Sequence, residues 1–442
     1  MHPDRYESWG RFPRVCRQEV RSLRWRSDPL PEAEGPLLPY GLGRSYGDSC
    51  LNEGGTLLST TNLSRLIAFD HATGVIRCEA GVTLADILRL AVPRGWFLPV
   101  TPGTKFVTLG GAIANDVHGK NHHADGTFGR HVRCFELLRS DGSRLLCSPD
   151  ENGEFFRATI GGLGLTGVIT WAEIQLRPIA NPLIEAESIR FRNLDEFYEI
   201  NDASEKDYRY TVAWVDVLAK GDKLGRGLYN RGNHAAPVDR DLPKLRWTSR
   251  VTVPVDAPGW SINALTVRAF NFAYYRKQLR KVQAGLTPYE PFFYPLDAVA
   301  RWNRVYGKRG FFQYQCVVPV GSDAMRHLLA TIARSAEASP LVVLKTFGAL
   351  PSPGMLSFPR PGVTLALDFP NRGERTFKLF EELDAIVADA GGALYPAKDA
   401  RMPPEMFQRS FPHWREFARY VDPRFSSSFW RRVTATGTGE AA

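Results

Sequence analysis

Two stretches concentrate residues able to do chemistry. Residues 39–50, PYGLGRSYGDSC, place Gly41, Gly43 and Gly47 around Arg44 and Ser45. Glycines there allow positive φ and close backbone approach, so successive N–H groups can form a nest for a diphosphate, with Arg44 and Ser45 as added donors. The plain alternative is an ordinary Gly-rich loop. Residues 101–132, TPGTKFVTLGGAIANDVHGKNHHADGTFGRHV, add Gly103, Gly110, Gly111, Gly119, Gly126 and Gly129, and four of the nine histidines: His118, His122, His123 and His131. A metal site would want a His pair at i, i+4 on a helix, or accompanying Cys and acids, and a Gly-rich loop is poor scaffolding for one. No metal site is therefore expected. Backbone wrapped around a large, flat, phosphorylated cofactor suits this segment better, with His118 and Lys120 facing a reactive centre.

A third glycine cluster is a decoy. Gly162, Gly164 and Gly167 satisfy GxGxxG, but a dinucleotide fingerprint needs a strand before it and a helix after it. Here a helical pattern (EFFRATI) precedes and a strand pattern (VITWAEI) follows. The spacing predicts a tight turn, one whose backbone could lie against some other ligand.

The elements that must position these loops read as α+β. LLPYGLGRSYGD is a strand running into the first glycine turn. GTLLSTTNL and LIAFDHATGVIRCEAG alternate like strands, with a hairpin turn at Thr73-Gly74. Leu84, Ile87, Leu88 and Val92 fall at helical spacing, and Pro93-Arg94-Gly95 ends that helix. VRCFELLRSDGSRLLCS is a second hairpin, turning at Asp141-Gly142. PIANP, 178–182, is a linker. Beyond it RYTVAWVDVLA and FFQYQCVVPV alternate as strands, SDAMRHLLATIARSAEAS is a helix, and RTFKLFEELDAIVADA is an amphipathic helix stopped by Gly391-Gly392. This order is not the regular βαβα of a doubly wound sheet. WRSDPLPEAEGP offers little helix. Residues 243–296 are basic, aromatic and weakly periodic. They read either as a mobile surface excursion or as a lid or membrane-facing flap, since aromatics beside Arg and Lys suit an anionic lipid surface.

Composition sets the outer bounds. The chain has 442 residues, 43% hydrophobic and 23% charged, enough for two or three globular domains and unlike a disordered or fibrous chain. Its net charge of +9 draws it to anionic partners without choosing among them. No helix-turn-helix, RNP or zinc-finger pattern supports nucleic acid. The six Cys are scattered without a CxxC pair, which fits a reducing compartment better than a disulfide scaffold. The N-terminus lacks the apolar run of a signal peptide, and no stretch is apolar for the 18 or so residues a span needs. The expectation is a cytoplasmic protein, peripheral to the inner membrane at most.

GLGRSYGD together with PGT-(x)4-LGGAIA-(x)2-HGKNHH resembles the FAD-linked oxidoreductases of the vanillyl-alcohol oxidase type. Within them it is most similar to the flavoprotein subunits of decaprenylphosphoryl-β-D-ribose 2-epimerases. WGR (9–11), GLTGVI (164–169), YTVAWVD (210–216), FFYPLD (292–297), WNRVYG (302–307), FFQYQ (311–315), LYPAKD (394–399) and VDPRF (421–425) extend the resemblance over nearly the whole chain.

The resemblance implies a two-part FAD-binding domain, 1–178 completed by 390–442, with an inserted α+β substrate or cap domain, 179–389, on an antiparallel sheet. It implies FAD against Gly41, Gly43, Arg44, Ser45, Tyr46, Gly47 and Asp48, then Gly103, Thr108, Leu109, Gly110, Gly111, Asn115, His118, Ile169 and Tyr395. Substrate contacts would come from Lys120, Trp214, Arg304, Gln313, Gln315, Lys345, Thr364, Ala366 and Lys398. Arg44 stands where some relatives attach FAD through a His, so the cofactor is expected to be non-covalent. Some members carry Cys and Asn where this chain has Ala366 and Thr364, and a Tyr where it has Phe293.

The implied reaction is oxidation of a secondary sugar hydroxyl, C2 of a polyprenyl-phosphate-linked pentose such as decaprenylphosphoryl ribose, to a keto sugar. Hydride passes to flavin N5. A separate NAD(P)H-dependent reductase would complete an epimerisation. His118 or Lys398 is the base; Lys398 has two further readings, a charge stabilising the flavin or a structural ion pair with Asp399. A soluble sugar, alditol or aldonolactone oxidase on the same fold is the alternative.

Overall fold

The computed structural model describes residues 6–237, 251–337 and 340–435. Its architecture is α+β, with three main sheets. The smallest holds Gln18–Ser22, Gly55–Ser59 and Leu37–Tyr40, with Gly55–Ser59 in the middle and all pairings parallel. This corrects the sequence reading of GTLLSTTNL as part of the same alternating set as the strands after it. Gly55–Ser59 is buried at every position, so it carries no alternation that would show which sheet it joins.

The five-stranded sheet is antiparallel, in the order Leu66–Asp70, Val75–Glu79, Val168–Gln175, Val132–Leu138, Arg144–Cys147. Its two hairpins turn where the dipeptides predict, with Gly74 at φ +72° and Gly142 at φ +83°. The helix Leu84–Ala91 begins in a reciprocal cap between Thr83 and Asp86, and buries Leu84, Ile87 and Leu88 in the core of this sheet. Gly95 closes the following turn at φ +80°.

Pro178, read as the start of a linker, pairs with Trp96 instead, and from Leu183 the chain enters an eight-stranded antiparallel sheet. Its spatial order is Val282–Pro288, Leu183–Phe191, Gly227–His234, Tyr210–Val215, Val342–Phe347, Gly362–Pro370, Phe311–Val318, Ala393–Leu394. Alternation divides its last long strands cleanly. Tyr314, Cys316, Leu344, Leu365 and Leu367 enter the core with Leu328 and Leu329 of the helix Ala324–Ser335 and Leu379 and Leu383 of the helix Glu374–Asp389. The intervening residues Gln313, Gln315, Lys345, Thr364 and Ala366 line a cleft.

Of the expected mobile segment 243–296, residues 243–250 lie outside the described residues. The remainder is not without regular structure. Val251–Thr252 pairs with Val299–Ala300, and Ala264–Arg276 is a helix capped reciprocally by Asn263 and Thr266. Its fully buried positions are only Val267 and Asn271, which is why the periodicity is weak in the sequence. No helix among the described residues is long and apolar enough to cross a membrane.

The two ends of the chain interlock. Leu37 N–H donates to Arg424 O, and Ser426 N–H to Leu37 O. Tyr46 N–H donates to Ala397 O at 2.9 Å. Arg432, on the helix Ser428–Thr434, forks between two carboxylates, reaching Asp48 at 2.7 Å and Asp399 at 2.9 Å, with Asp48 and Asp399 almost wholly buried. Removing a guanidinium from such a cluster leaves buried carboxylates uncompensated, at a cost of about 3–5 kcal/mol. Arg432→Leu is therefore expected to lower unfolding free energy by about that amount, read as an earlier midpoint in urea denaturation, whereas Arg431→Leu at the same helix should cost under about 1 kcal/mol.

Candidate active site

A cleft runs between the glycine loops and the polar face of the eight-stranded sheet, enclosing about 2050 Å³ of non-protein space with the solvent at its mouth included. Its first wall is the turn after Leu37–Tyr40. The amides of Leu42, Gly43, Arg44 and Ser45 meet no protein acceptor among the described residues. Gly43 sits at φ +60°, and a Cβ there would come 2.0 Å from Tyr40 Oη. A Cβ on Gly41 would come 2.5 Å from Thr108 Oγ1. Consecutive unpartnered amides in a glycine turn bind a diphosphate. Arg44 donates from Nε to Phe106 O at 3.0 Å and stacks on Trp9 at 4.2 Å. Gly41, Gly43, Arg44, Ser45 and Tyr46 line the cleft. Gly47 and Asp48 do not: Gly47 packs against Asp399 O, where a Cβ would stand 1.8 Å away, and Asp48 is held by Arg432.

The second wall is the segment from Thr101 to Lys120. Thr108 accepts from Gly111 N–H and caps the helix Leu109–Ala114. Gly103, Thr108, Gly110, Gly111, Asn115 and His118 line the cleft. Leu109 does not; it is fully buried in the core beneath the five-stranded sheet. Ile169 and Tyr395 complete this wall, and Tyr395 Oη donates to Asn115 O at 2.9 Å. Gly164 and Gly167 of the decoy motif also line it, between a helix (Gly153–Thr159) and a strand (Val168–Gln175), opposite to the Rossmann order. His122, His123 and His131 face separate partners, namely Gly348 N–H, Tyr208 O and Asp125 O.

The sheet face brings His118, Lys120, Gln313, Gln315, Lys345, Thr364, Ala366 and Lys398 to one end of the cleft. Gln315 Nε2 lies 2.8 Å from His118 Nε2 and 3.4 Å from Thr364 Oγ1. As a donor it requires the neutral imidazole with its proton on Nδ1. Burial, then Lys345, His122 and Lys398, hold the His118 pKa well below its ordinary value, so the ring is neutral. Lys345 Nζ donates to Gly119 O at 2.8 Å. Lys398 Nζ lies 3.8 Å above the Tyr46 ring and has no ion pair among the described residues; Asp399 belongs to Arg432 instead. Burial pulls Lys120 down to about 8, and Lys345 and Lys398 down to about 7. A buried carboxylate also stands on this face, Asp368, which accepts from Gln313 Nε2 at 2.6 Å and Tyr306 Oη at 3.1 Å and is pushed up to about 7 by burial.

Two expected substrate residues lie outside the cleft. Trp214 is on the cleft side of its strand, but Tyr274 covers it at 4.7 Å and its Nε1 donates to Pro340 O. Arg304 is paired with Asp256 and donates to Pro254 O. Sequence reasoning missed Trp9, Tyr40, Asp297, Trp302 and Val343, all on the cleft. Val343 was within reach, two residues before Lys345 on the same strand. Trp9 and Trp302 meet edge to face at 5.5 Å and extend the wall begun by Arg44. Phe293 lies in a ring cluster with Phe97 and Tyr210 rather than on the cleft.

Residues 30–148 match the family model described as FAD binding domain. Over 97% of both chains, the sequence is 39% identical to decaprenylphosphoryl-β-D-ribose oxidase of Mycolicibacterium smegmatis. An uncharacterised Streptomyces coelicolor protein is 36% identical over 80% of this chain and all of its own. Human Δ(24)-sterol reductase is 32% identical over 26% of this chain and 23% of its own. The unpartnered amides at 42–45 and the glycine cradle fit the diphosphate of FAD. Gly43→Ala forces an L side chain into the left-handed region and onto Tyr40. The variant is expected to fold with an unchanged circular dichroism spectrum but to purify with less than a tenth of the wild-type flavin absorbance, about 1.4 kcal/mol or more of lost binding.

Proposed function

The chain belongs to the FAD-dependent oxidoreductase family of decaprenylphosphoryl-β-D-ribose oxidase, and on that premise we propose that it oxidises C2 of a polyprenyl-phosphate-linked pentose to the keto sugar. The observation that carries this reading is the cluster of three lysines, Lys345 buried and Lys120 and Lys398 half-buried, and two glutamines facing one end of the FAD cleft. Such a set binds a polyhydroxylated, anionic ligand.

FAD, when bound, supplies the hydride acceptor, and without a His at position 44 it is held non-covalently. Gly41–Ser45 would hold its diphosphate; Gly103, Thr108, Gly110, Gly111, Asn115, Ile169 and Tyr395 would hold the rest. Gln313 and Gln315 hold sugar hydroxyls, each oriented by a fixed neighbour, Asp368 and His118 respectively. Lys120 and Lys345 face the phosphate. Lys398 takes the hydroxyl proton as the carbinol C–H gives up its hydride. The His118 lone pair at Nε2 is occupied by Gln315, whereas Lys398 carries no ion pair among the described residues and is pulled down to about 7, the property a general base requires. The aromatic wall of Trp9 and Trp302 limits water at this end.

The same proposal covers an FAD domain made of 1–178 and 390–442 around a 179–389 cap. It also covers a separate NAD(P)H-dependent reductase that consumes the keto sugar, and a peripheral place at the inner face of a membrane.

The test is anaerobic addition of a polyprenyl-phosphoryl ribose analogue to the purified flavoprotein. Bleaching of the flavin bands is the expected result. Bleaching only by free sugars, alditols or aldonolactones would replace the reading with a soluble sugar oxidase.

The pH profile has a fixed sign. A base must be neutral, and Lys398 loses its proton as pH rises through about 7, so kcat should climb through that region. Lys398→Met should lower kcat about 10²–10⁴-fold with flavin retained. Lys398→Arg, a cation that cannot act as a base, should not restore it. Recovery by Arg, or a kcat that falls as pH rises through 7, would assign Lys398 a purely electrostatic role.

A further inference from the structure

The segment 257–289 contains no Asp or Glu and five cations: Arg268, Arg276, Lys277, Arg280 and Lys281. Only Lys281 is ion-paired among the described residues, to Glu196 at 2.7 Å. Among those cations stand large apolar side chains exposed to solvent: Trp260 (75%), Leu265 (77%), Phe272 (55%) and Leu279 (83%). On the helix Ala264–Arg276 they form a stripe, since Leu265, Arg268, Phe272 and Arg276 recur at i, i+3, i+7 and i+11. The opposite side is committed inward. Asn271 donates to Asp216, Tyr275 Oη to Phe191 O, and Tyr274 packs on Trp214. The helix is thus fixed with its apolar and basic side outward, an arrangement a soluble surface does not otherwise favour.

We propose that this outward face, from Trp260 to Leu279, docks on a membrane carrying anionic lipid. Leu265, Phe272 and Leu279 enter the headgroup region while Arg268, Arg276, Lys277 and Arg280 meet lipid phosphates. A second copy of the chain is disfavoured on charge, because an isologous contact would set unpaired cations against their own images. Exposed aliphatic Leu265 and Leu279 fit acyl chains. The segment that carries this face also touches the wall of the cleft. Arg304, next to the cleft residue Trp302, pairs with Asp256, and Ile262 packs in the ring cluster of Trp302, Tyr306 and Phe311. The purpose of the face, delivery of a lipid-linked sugar from the bilayer, rests on the proposed substrate. Its binding to lipid does not.

The experiment is therefore run without substrate: flotation of the FAD-loaded chain with vesicles of phosphatidylcholine alone or with one-third phosphatidylglycerol. Binding to the anionic vesicles only, weakening with salt, is expected. Arg276→Gln with Arg280→Gln should lower partitioning roughly tenfold or more, and Phe272→Ser with Leu279→Ser should do so at unchanged charge. Both variants should keep the thermal midpoint and the wild-type rate on a short-chain, water-soluble substrate. Equal binding by wild type and both variants would overturn the proposal. So would no vesicle binding together with a self-association that the variants abolish, which would assign the face to a second copy. Anionic-vesicle binding by a chain that fails to oxidise polyprenyl-phosphoryl ribose would uphold the docking face and reject the substrate.

Discussion

The union of the first glycine turn with the C-terminal return depends on one buried ionic junction, Arg432 between Asp48 and Asp399. Asp48 follows the first glycine turn and Asp399 follows Lys398. By joining the two, Arg432 sets the C-terminal return against the N-terminal loop. Tyr46 then donates its N–H to Ala397 O, and its ring lies beneath the Lys398 ammonium. Gly47 is the matching steric condition, since any side chain would strike Asp399 O. The proposed base and diphosphate nest are thus positioned by a contact that neither shares with the ligand.

The second organising element is the polar face of the eight-stranded sheet. A sheet with helices on one side normally offers water the other. Here that face is roofed by the glycine loops, so residues that alternation turns outward become buried. Each consequence is electrostatic. Lysines that would hold their protons on a surface release them near neutrality, a histidine stays neutral, and Asp368 carries a proton more readily than a surface acid.

Much of this was legible in the residue pattern. Hairpin dipeptides, the period of two in FFQYQCVV, and glycine turns incompatible with helix or strand all report local physics. Long-range pairing does not. Asp48 reads as a loop residue at the diphosphate until Arg432, 384 residues later, takes it. Arg304 reads as a substrate cation until Asp256 neutralises it. Trp214, a substrate contact by resemblance, is on the cleft side of its strand, yet a helix with little periodicity of its own supplies the Tyr274 that covers it. Leu109 sits among glycines that line the cleft but, like Ile113 on the same helix, is large and apolar enough to be drawn into the core. The parallel three-stranded sheet left no trace because its central strand is buried on both sides.

Three lysines whose ammonium forms are disfavoured in one partly enclosed cleft make ligand binding a proton-coupled event. At a pH above 7, Lys345 enters the encounter largely uncharged. A phosphate arriving beside it would restore its proton, drawn from bulk solvent, so the complex should form with net proton uptake and with an affinity that weakens as alkalinity rises. Lys398 must not follow. Lys345 and Lys398 act on one another electrostatically, so a recharged Lys345 ammonium itself disfavours a second positive charge beside it and helps to keep the proposed base neutral.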